Sequence, residues 1–549
     1  MDQPTDTADY IIVGAGSAGC VLAERLSADP GVRVILLEAG GGDRSELIAM
    51  PKGIGKLVID PNHAWHYPVA QPRTPDMPAS EMWIRGKGLG GSSSINGMIW
   101  VRGQPQDYED WARLGATGWD WAAMRAAFRA IEDHALGDDG LRGVGGPVRI
   151  SAGTHRYALA ERMIAAGEQM GLPVREDLNR EDQEGVGYYC HNIARGRRVS
   201  AARAFLRPAR GRPNLKVITG AAVDKVLFEG QRAIGVRAQL GGRSVSFAAS
   251  GEVILSAGAL ISPAILQRSG IGAAASLVGM GIVPLVDRPD VGRRMREHLG
   301  YAMPHRLRGG ERGINHRFHG AGLVGSLLEY YLLRRGPLAT GPFEVGAFLR
   351  TAPGVARPDL QLYLSGFTFA RGDDNFPVPL ADVERVPGMT IYGQLLRLTS
   401  EGSVAISAAD PAAPLTITPN WLSTPEDEAA AIAMVRSMRR YMAMPALAAV
   451  AGEEILPGQA AQSDAALLDS VRRYGLCGTH AVGTARMGDD AGAVLDARCR
   501  VRGVAGLRVV DCAAMPAPVS GNTNAPAMAM GWLAARLITA DRRTGATAR

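Results

Sequence analysis

The stretch from Asp9 to Glu38 limits the fold more than any other part of the sequence. An apolar run, Tyr10-Ile11-Ile12-Val13, meets Gly14-Ala15-Gly16-Ser17-Ala18-Gly19 and then an Ala/Leu-rich run to Leu26. A second near-continuous apolar run, Val32 to Leu37, ends in Glu38, as a parallel strand buried on both faces does. Strand, glycine turn, helix and strand within about 30 residues make a βαβ unit. G-x-G-x-x-G alone is a weak signal, but here it sits between a strand and a helix, with Glu38 nineteen positions after Gly19. Gly14 allows the turn, Gly16 lets backbone reach a pyrophosphate and Gly19 permits close helix packing, while the helix N-terminus favours phosphate charge. Glu38 is placed to bind an adenosine ribose. The fingerprint serves NAD and FAD alike, since both present adenosine diphosphate.

A chain of 549 residues exceeds what one hydrophobic core fills, so at least two domains are expected. With 46% hydrophobic and 21% charged residues it has the composition of a globular protein. The charge of +6 comes from 60 basic and 54 acidic residues, scattered without a stripe. Short clusters, Arg195-Gly196-Arg197-Arg198 and Arg293-Arg294, lack the aromatic interleaving of a single-strand binder, which argues against nucleic acid as a partner. Five widely spaced cysteines without a C-x-x-C pair fit reduced thiols and a cytoplasmic setting. No segment reads as a signal peptide or a membrane span. There is neither H-E-x-x-H nor a Cys/His cluster at ligand spacing, so no metal is expected.

Pro51 to about Asp76 reads as loop and short pieces, and Trp119 to Ala135 as helix. Strands are predicted within Asn214 to Phe228 and Ser244 to Leu255, and a helix from the turn at Ser256-Ala257-Gly258-Ala259 through Gln267. Between Tyr301 and Tyr474 the texture changes to alternating strands, such as Leu360 to Leu364 and Leu395 to Ile406, proline turns and a long helix from near Pro425. The glycine-rich style then returns, with a strand at Leu507 to Asp511, a helix at Ala527 to Thr539 and a frayed tail from Asp541. The expected division is a discontinuous nucleotide-binding domain, 1–150, 213–300 and 475–549, and a substrate domain, 151–212 and 301–474.

Asn522-Thr523-Asn524-Ala525-Pro526 looks like a helix entrance, with Pro526 near the first helical position. Asn524 reads equally well as a plain cap or as a group facing a ligand.

Five ordered blocks then carry a resemblance: DYIIVGAGSAGCVLAERLS from Asp9, RGKGLGGSSSINGMIWVRG at 85–103, SAGALISPAILQRSGIG at 256–272, HAVGTARMG at 480–488 and VVDCAAMPAPVSGNTNAPAMAMG at 509–531. From Asp9 to about Ile538 the chain resembles the glucose–methanol–choline (GMC) oxidoreductase family. The resemblance implies a mixed α/β and α+β fold: a Rossmann-like, glutathione-reductase-like FAD-binding domain with a second, antiparallel-sheet substrate domain capped by helices. It implies FAD, and in addition to Gly14, Gly16, Gly19 and Glu38 it points to cofactor contacts along the matched blocks. These are Ser17, Ala18, Ala39, Trp65, Arg85, Leu89, Gly90, Gly91, Ser92, Asn96, Gly97, Met98 and Ile99 in the first part of the chain. Val223, Ala257, Asp511, Cys512, Asn522 and Thr523 follow. Members that tether their flavin carry a His just before the Asn of this motif; here Ile95 stands there, so the FAD is expected to be non-covalent.

The resemblance also implies oxidation of a small primary alcohol to an aldehyde, with O2 or another acceptor taking the electrons. An alcohol proton leaves only with help from a base that starts neutral near pH 7, which suits histidine. His480, in the frame Gly478 to Thr484, precedes Asn524 by 44 positions, a spacing similar to that of the family's catalytic pair, so His480 is expected as base and Asn524 as its partner. His298 lies in a stretch that the family uses structurally, and Met528-Ala529-Met530 reads as core. RGQPQDYEDWARLGATGWDW at 102–121 is similar to (hydroxymethyl)furfural oxidase-type members, although Thr479 takes a place that is aromatic in some of them. A flavin-dependent lyase or decarboxylase on the same fold is the alternative, because fold does not fix function.

Overall fold

The computed structural model describes residues 5–70, 80–370 and 382–544. The expected loop past residue 70 and the tail past residue 544 fall outside that range, whereas Asp541 to Thr544, read as tail, continue the final helix, with Asp541 buried against Arg498 and Arg508. The βαβ reading holds: Asp6–Val13 is a strand, Ser17–Leu26 a helix and Val34–Glu38 a strand with all five residues buried. Asp6–Val13 pairs in parallel with Val34–Glu38 on one side and with Arg243–Leu255 on the other. Leu215–Thr219 extends the parallel row. Leu507–Val509 runs parallel to the end of Arg243–Leu255, so the glycine-rich C-terminal segment returns to the first sheet. Arg232–Leu240 and Ala221–Glu229 add two antiparallel strands at that sheet's other end. Arg232–Leu240 was not expected; its alternation of apolar residues with Arg, Gly and Gln is that of a half-buried strand.

The turn between the first strand and helix depends on missing side chains. Gly14 has φ +98°, and a Cβ there would lie 2.5 Å from the Ser256 carbonyl oxygen. At Gly19 a Cβ would lie 2.0 Å from the Gly14 oxygen, so the helix closes on the turn only without one.

The second sheet is antiparallel throughout, in the order Ala451–Glu454, Leu299–Leu307, Gly388–Leu395, Leu360–Ser365, Val345–Leu349 and Gly185–Tyr188. Leu476–Cys477 pairs with the start of Leu299–Leu307. Residues 299, 300, 476 and 477 thus belong to this sheet although the sequence reading put them in the other domain, where no change of composition marks the crossing. The predicted strand Leu395 to Ile406 is two pieces, Gly388–Leu395 and Ser403–Ile406. Trp119 to Ala135 resolves into a helix, Trp121–Ile131, followed by a short strand, Glu132–His134.

Period-two alternation decides what the second sheet offers the site. Leu360, Leu362, Leu364, Ile391 and Leu395 point to a buried cluster with Met434 and Met438 of the Pro425–Met442 helix. Gln361, Tyr363, Tyr392 and Gln394 therefore face the opposite way, towards the first domain.

Candidate functional site

The two glycine-rich stretches lie on one another. Gly90 N–H donates to the Ala15 carbonyl at 2.8 Å, and a Cβ at Gly91 would lie 2.8 Å from the Gly16 Cα. Glu38 ties the turn together: its carboxylate accepts from the N–H groups of Ala15, Gly40 and Gly88 at 2.9, 2.8 and 3.1 Å. Burial pushes its carboxyl up from the ordinary value, and those three donors push back. Gly220 N–H donates to the Gly40 carbonyl at 3.0 Å, which places the start of the next strand, Ala221–Glu229, the one that carries Val223, at the end of the Glu38 strand. Asp511 caps the turn at Cys512–Ala514 and accepts from Gly258 N–H and Ser262 Oγ at 2.8 and 2.6 Å, so Asp511, Cys512 and Ala257 lie together.

Other predicted cofactor residues are held by the chain itself. Ser92 Oγ accepts from Gly86 N–H at 3.0 Å, and Asn96 Oδ1 accepts from Arg198 at 2.7 Å and from Met98 N–H at 3.1 Å. Trp65 pairs across a two-stranded ribbon with Arg85, and its ring carries the Lys87 ammonium 4.4 Å from the centroid. Ala18, Leu89 and Ile99 bury their side chains in apolar clusters, leaving only backbone to meet a ligand. Met98 and Thr479 both have φ 63°, a rare conformation, and for a β-branched threonine a strained one.

His480 is buried, and the polar partner expected at Asn524 stands instead at Asn522, whose Nδ2 lies 3.2 Å from His480 Nε2. Asn524 faces away and accepts from Ser17 Oγ at 2.8 Å. The cause is the approach to the final helix, Asn524–Thr544. Ser520 is pinned to Asp107 through its N–H at 2.6 Å and its hydroxyl at 2.8 Å, and Gly521 has φ +137° with Val101 against it. The chain thus presents Asn522 to the histidine before the helix begins, and the first helical residue turns back to the Gly14–Gly19 loop.

Sequence reading also missed Glu297, His298, Gln361, Tyr363 and Gln394. Buried Glu297 accepts from His480 N–H at 2.6 Å and His298 N–H at 2.9 Å, with Arg85 3.4 Å away. It clamps the strained backbone at Thr479. His298 Nδ1 lies 3.1 Å from His480 Nδ1 and 3.2 Å from Gln394 Nε2. Adjacency to Arg293 and Arg294 hid this, because only the strand pairing of 299–300 with 476–477 brings the two histidines together.

These contacts fix proton positions by elimination. Tyr189 Oη can only donate to the Leu362 carbonyl, 2.7 Å away. Its oxygen then accepts from Gln361 Nε2 at 3.0 Å, which orients that amide. Gln361 Nε2 also reaches Asn522 Oδ1 at 3.3 Å, and Gln361 Oε1 accepts from Gln394 Nε2 at 3.4 Å. Asn522 Nδ2 is left to donate to His480 Nε2, and Gln394 donates to His298 Nδ1. The proton between the two rings therefore sits on His480 Nδ1, and His480 Nε2 is left unprotonated, its lone pair accepting from Asn522. Burial first, then His298 and Arg85, push the His480 imidazole well below its usual 6.5. Burial also lowers His298, to about 4.

An aromatic wall adjoins the pair. Tyr363, whose hydroxyl accepts from Asn522 Nδ2 at 3.3 Å, has Phe343 and Tyr392 at ring-centroid distances of 5.3 and 5.4 Å. A flavin dinucleotide fits this architecture on two observations. Asn524 Nδ2 is a buried donor without a partner, and a Cβ at Gly258 would meet nothing within 4 Å, which leaves open space beside Asp511.

No metal set was visible in sequence spacing, yet His134, Asp177 and Cys190 gather with ligand atoms within 4.8 Å of one another. Arg142 lies 3.8 Å from the same carboxylate, so a cation already answers its charge.

Comparison with known proteins identifies the family. The GMC oxidoreductase N-terminal model matches residues 8–300 and the C-terminal model residues 399–531. An alcohol dehydrogenase [acceptor] of Pseudomonas putida is 39% identical over 96% of this chain and 95% of its own length. Human mitochondrial choline dehydrogenase is 39% identical over 98% of this chain and 90% of its own. Among solved structures, pyridoxine 4-oxidase from Mesorbium loti superposes with a TM-score of 0.85 at 32% identity, covering 96% of this chain and 98% of that one. None of the three carries a lyase or decarboxylase name.

Proposed function

This chain belongs to the GMC oxidoreductase family, FAD-dependent enzymes acting on alcohol CH–OH groups, and on that footing we propose that it oxidises a primary alcohol to an aldehyde with His480 as the base. The observation that carries the reading is the unprotonated Nε2 of buried His480, which accepts from the Asn522 amide 3.2 Å away. FAD, when bound, supplies the hydride acceptor. The chain's residues do the rest. The substrate hydroxyl takes a place at His480 Nε2, and Asn522 Nδ2 donates to its oxygen. As a hydride leaves the carbinol carbon, the hydroxyl proton passes to Nε2 and the C–O bond becomes a carbonyl. His298 holds the other ring nitrogen in the donor role, so the lone pair always faces substrate, and Glu297 fixes the backbone on which the ring turns. The aromatic wall of Phe343, Tyr363 and Tyr392 suits an apolar or cationic substituent beside the carbinol carbon.

The residues that would hold the cofactor are the Gly14–Gly19 loop at the pyrophosphate, Glu38 at the ribose, and Asn524 with its unpartnered amide. Ile95 packs in an apolar cluster with Ile48, Leu57 and Ala64 and cannot form the ring linkage of a histidine. Acid precipitation of the yellow protein is expected to leave the flavin in the supernatant; colour held in the pellet would contradict non-covalent binding. The reaction itself is tested by mixing the holoprotein anaerobically with a panel of primary alcohols, followed by air. Bleaching of the flavin band by an alcohol supports the reading and names the substrate class. Reoxidation on admitting air marks O2 as acceptor, while persistent bleaching points to another one. A flavin that no alcohol bleaches would refute the proposal.

A further inference from the structure

The helix at Gly320–Leu328 and its π-helical continuation Glu329–Leu333 present an exposed apolar stripe. Val324, Leu328, Tyr331, Leu332 and Leu333 are 56%, 56%, 50%, 75% and 55% exposed. Val324, Leu328, Tyr331 and Leu332 recur at helical spacing, whereas Ser326 and Tyr330 on the opposite side are buried. Isolated exposed apolar residues are ordinary, but four on one face of a single element, with Leu333 beyond them, mark an interaction surface.

The charges around the stripe say what covers it. Between Gly320 and Leu333 the only ionisable acid or base besides tyrosine is Glu329, and Arg317 neutralises it at 2.6 Å. At the C-terminal end come Arg334, stacked 4.8 Å over the Tyr330 ring, and exposed Arg335. The turn at Arg195-Gly196 sits against the same point, since a Cβ on Gly196 would lie 2.3 Å from the Arg334 oxygen, and it adds exposed Arg195. At the other end Arg312 and His316 are exposed. The basic cluster that made no sense for nucleic acid in the sequence thus borders a strip of leucines. A second copy of this chain would set these cations against one another, whereas an anionic lipid surface pairs with them.

We propose that the protein docks peripherally on anionic phospholipid bilayers, with the 320–333 helix lying in the headgroup region and Arg195, Arg334 and Arg335 on the lipid phosphates. No helix among the described residues is long and apolar enough to cross a membrane, so the contact is one of surface insertion.

The test is flotation of the holoprotein with vesicles of phosphatidylcholine alone and of phosphatidylcholine mixed with phosphatidylglycerol. Wild type is expected to float with the mixed vesicles, less so at high salt, and to stay at the bottom with phosphatidylcholine alone. A Leu328→Asp/Leu332→Asp variant, changed only at exposed positions, is expected to lose flotation while keeping its flavin spectrum. Arg195→Glu/Arg335→Glu is expected to do the same. Wild type that remains at the bottom with mixed vesicles overturns the proposal, and so does a leucine variant that floats unchanged. Light scattering that finds a dimer dissolved by the leucine variant, without flotation of wild type, assigns the face to a second copy instead. The readout is independent of turnover, so it stands whatever the alcohol panel gives.

Discussion

His480→Ala is expected to slow reduction of bound flavin by alcohol about 10²–10⁴-fold, the usual contribution of a general base, with folding and FAD binding intact. The pH profile gives the same assignment a second check. The cation of His480 is disfavoured by burial, by His298 and by Arg85, so the neutral, competent ring survives to lower pH than free histidine does. Wild-type reduction should hold its rate as pH falls past 6.5, the ordinary value, and decline only well below it. A decline centred at or above that value would contradict the site's electrostatics. His298→Leu should approach the His480→Ala rate, because without an acceptor at Nδ1 the proton is free to move to Nε2 and block the lone pair. His298→Asn, which offers a carbonyl oxygen near the lost Nδ1, should recover much of the rate. Equal, wild-type rates in both His298 variants would remove it from the mechanism. Asn522→Ala should cost about tenfold, the worth of one hydrogen bond to the reacting oxygen, and more than Asn524→Ala costs in the same step.

Glu132→Ala should carry the largest penalty in stability. Glu132 and Arg102 are 0% and 1% exposed. Their carboxylate and guanidinium meet twice, at 2.7 and 2.6 Å, while Trp100 Nε1 and Gly143 N–H donate to the same carboxylate at 2.8 and 3.1 Å. Alanine there leaves a guanidinium buried without its counter-charge, a loss of about 3–5 kcal/mol. Denaturant unfolding followed by tryptophan fluorescence measures it, and Arg129→Ala is the control. Arg129 pairs with Asp138 at 2.8 Å on the surface, where such a pair is worth about 0–1 kcal/mol. Equal effects would mean that the buried pair is not what holds this region. Trp100 and Arg102 directly follow the second glycine stretch, so the Glu132 variant should also retain FAD less well.

The sequence determined what depends on neighbouring residues. The glycine turn at Gly14–Gly19, the buried strand ending in Glu38, the long helix from Pro425 and the small-residue frame around His480 are local. Each element's chemistry lies in the backbone freedom or periodicity of a few consecutive residues, and each stands in the structure within a few residues of where it was read. The five blocks carried the family for the same reason. What the sequence left undecided are pairings of residues far apart in the chain. Asn522 and Asn524 have the same side chain two positions apart, and nothing local separates them. The choice is made by Asp107 holding Ser520 from 413 positions away. His298 meets His480 across 182 positions only because two strand segments pair, and Gln361 and Gln394 point at that meeting because strand alternation, once the registers are fixed, leaves them on that face. Burial then sets the charge state of both rings. Desolvation and the orientation of hydrogen bonds belong to the assembled interior, and the tertiary structure alone decided which nitrogen of His480 carries the proton and which accepts from Asn522.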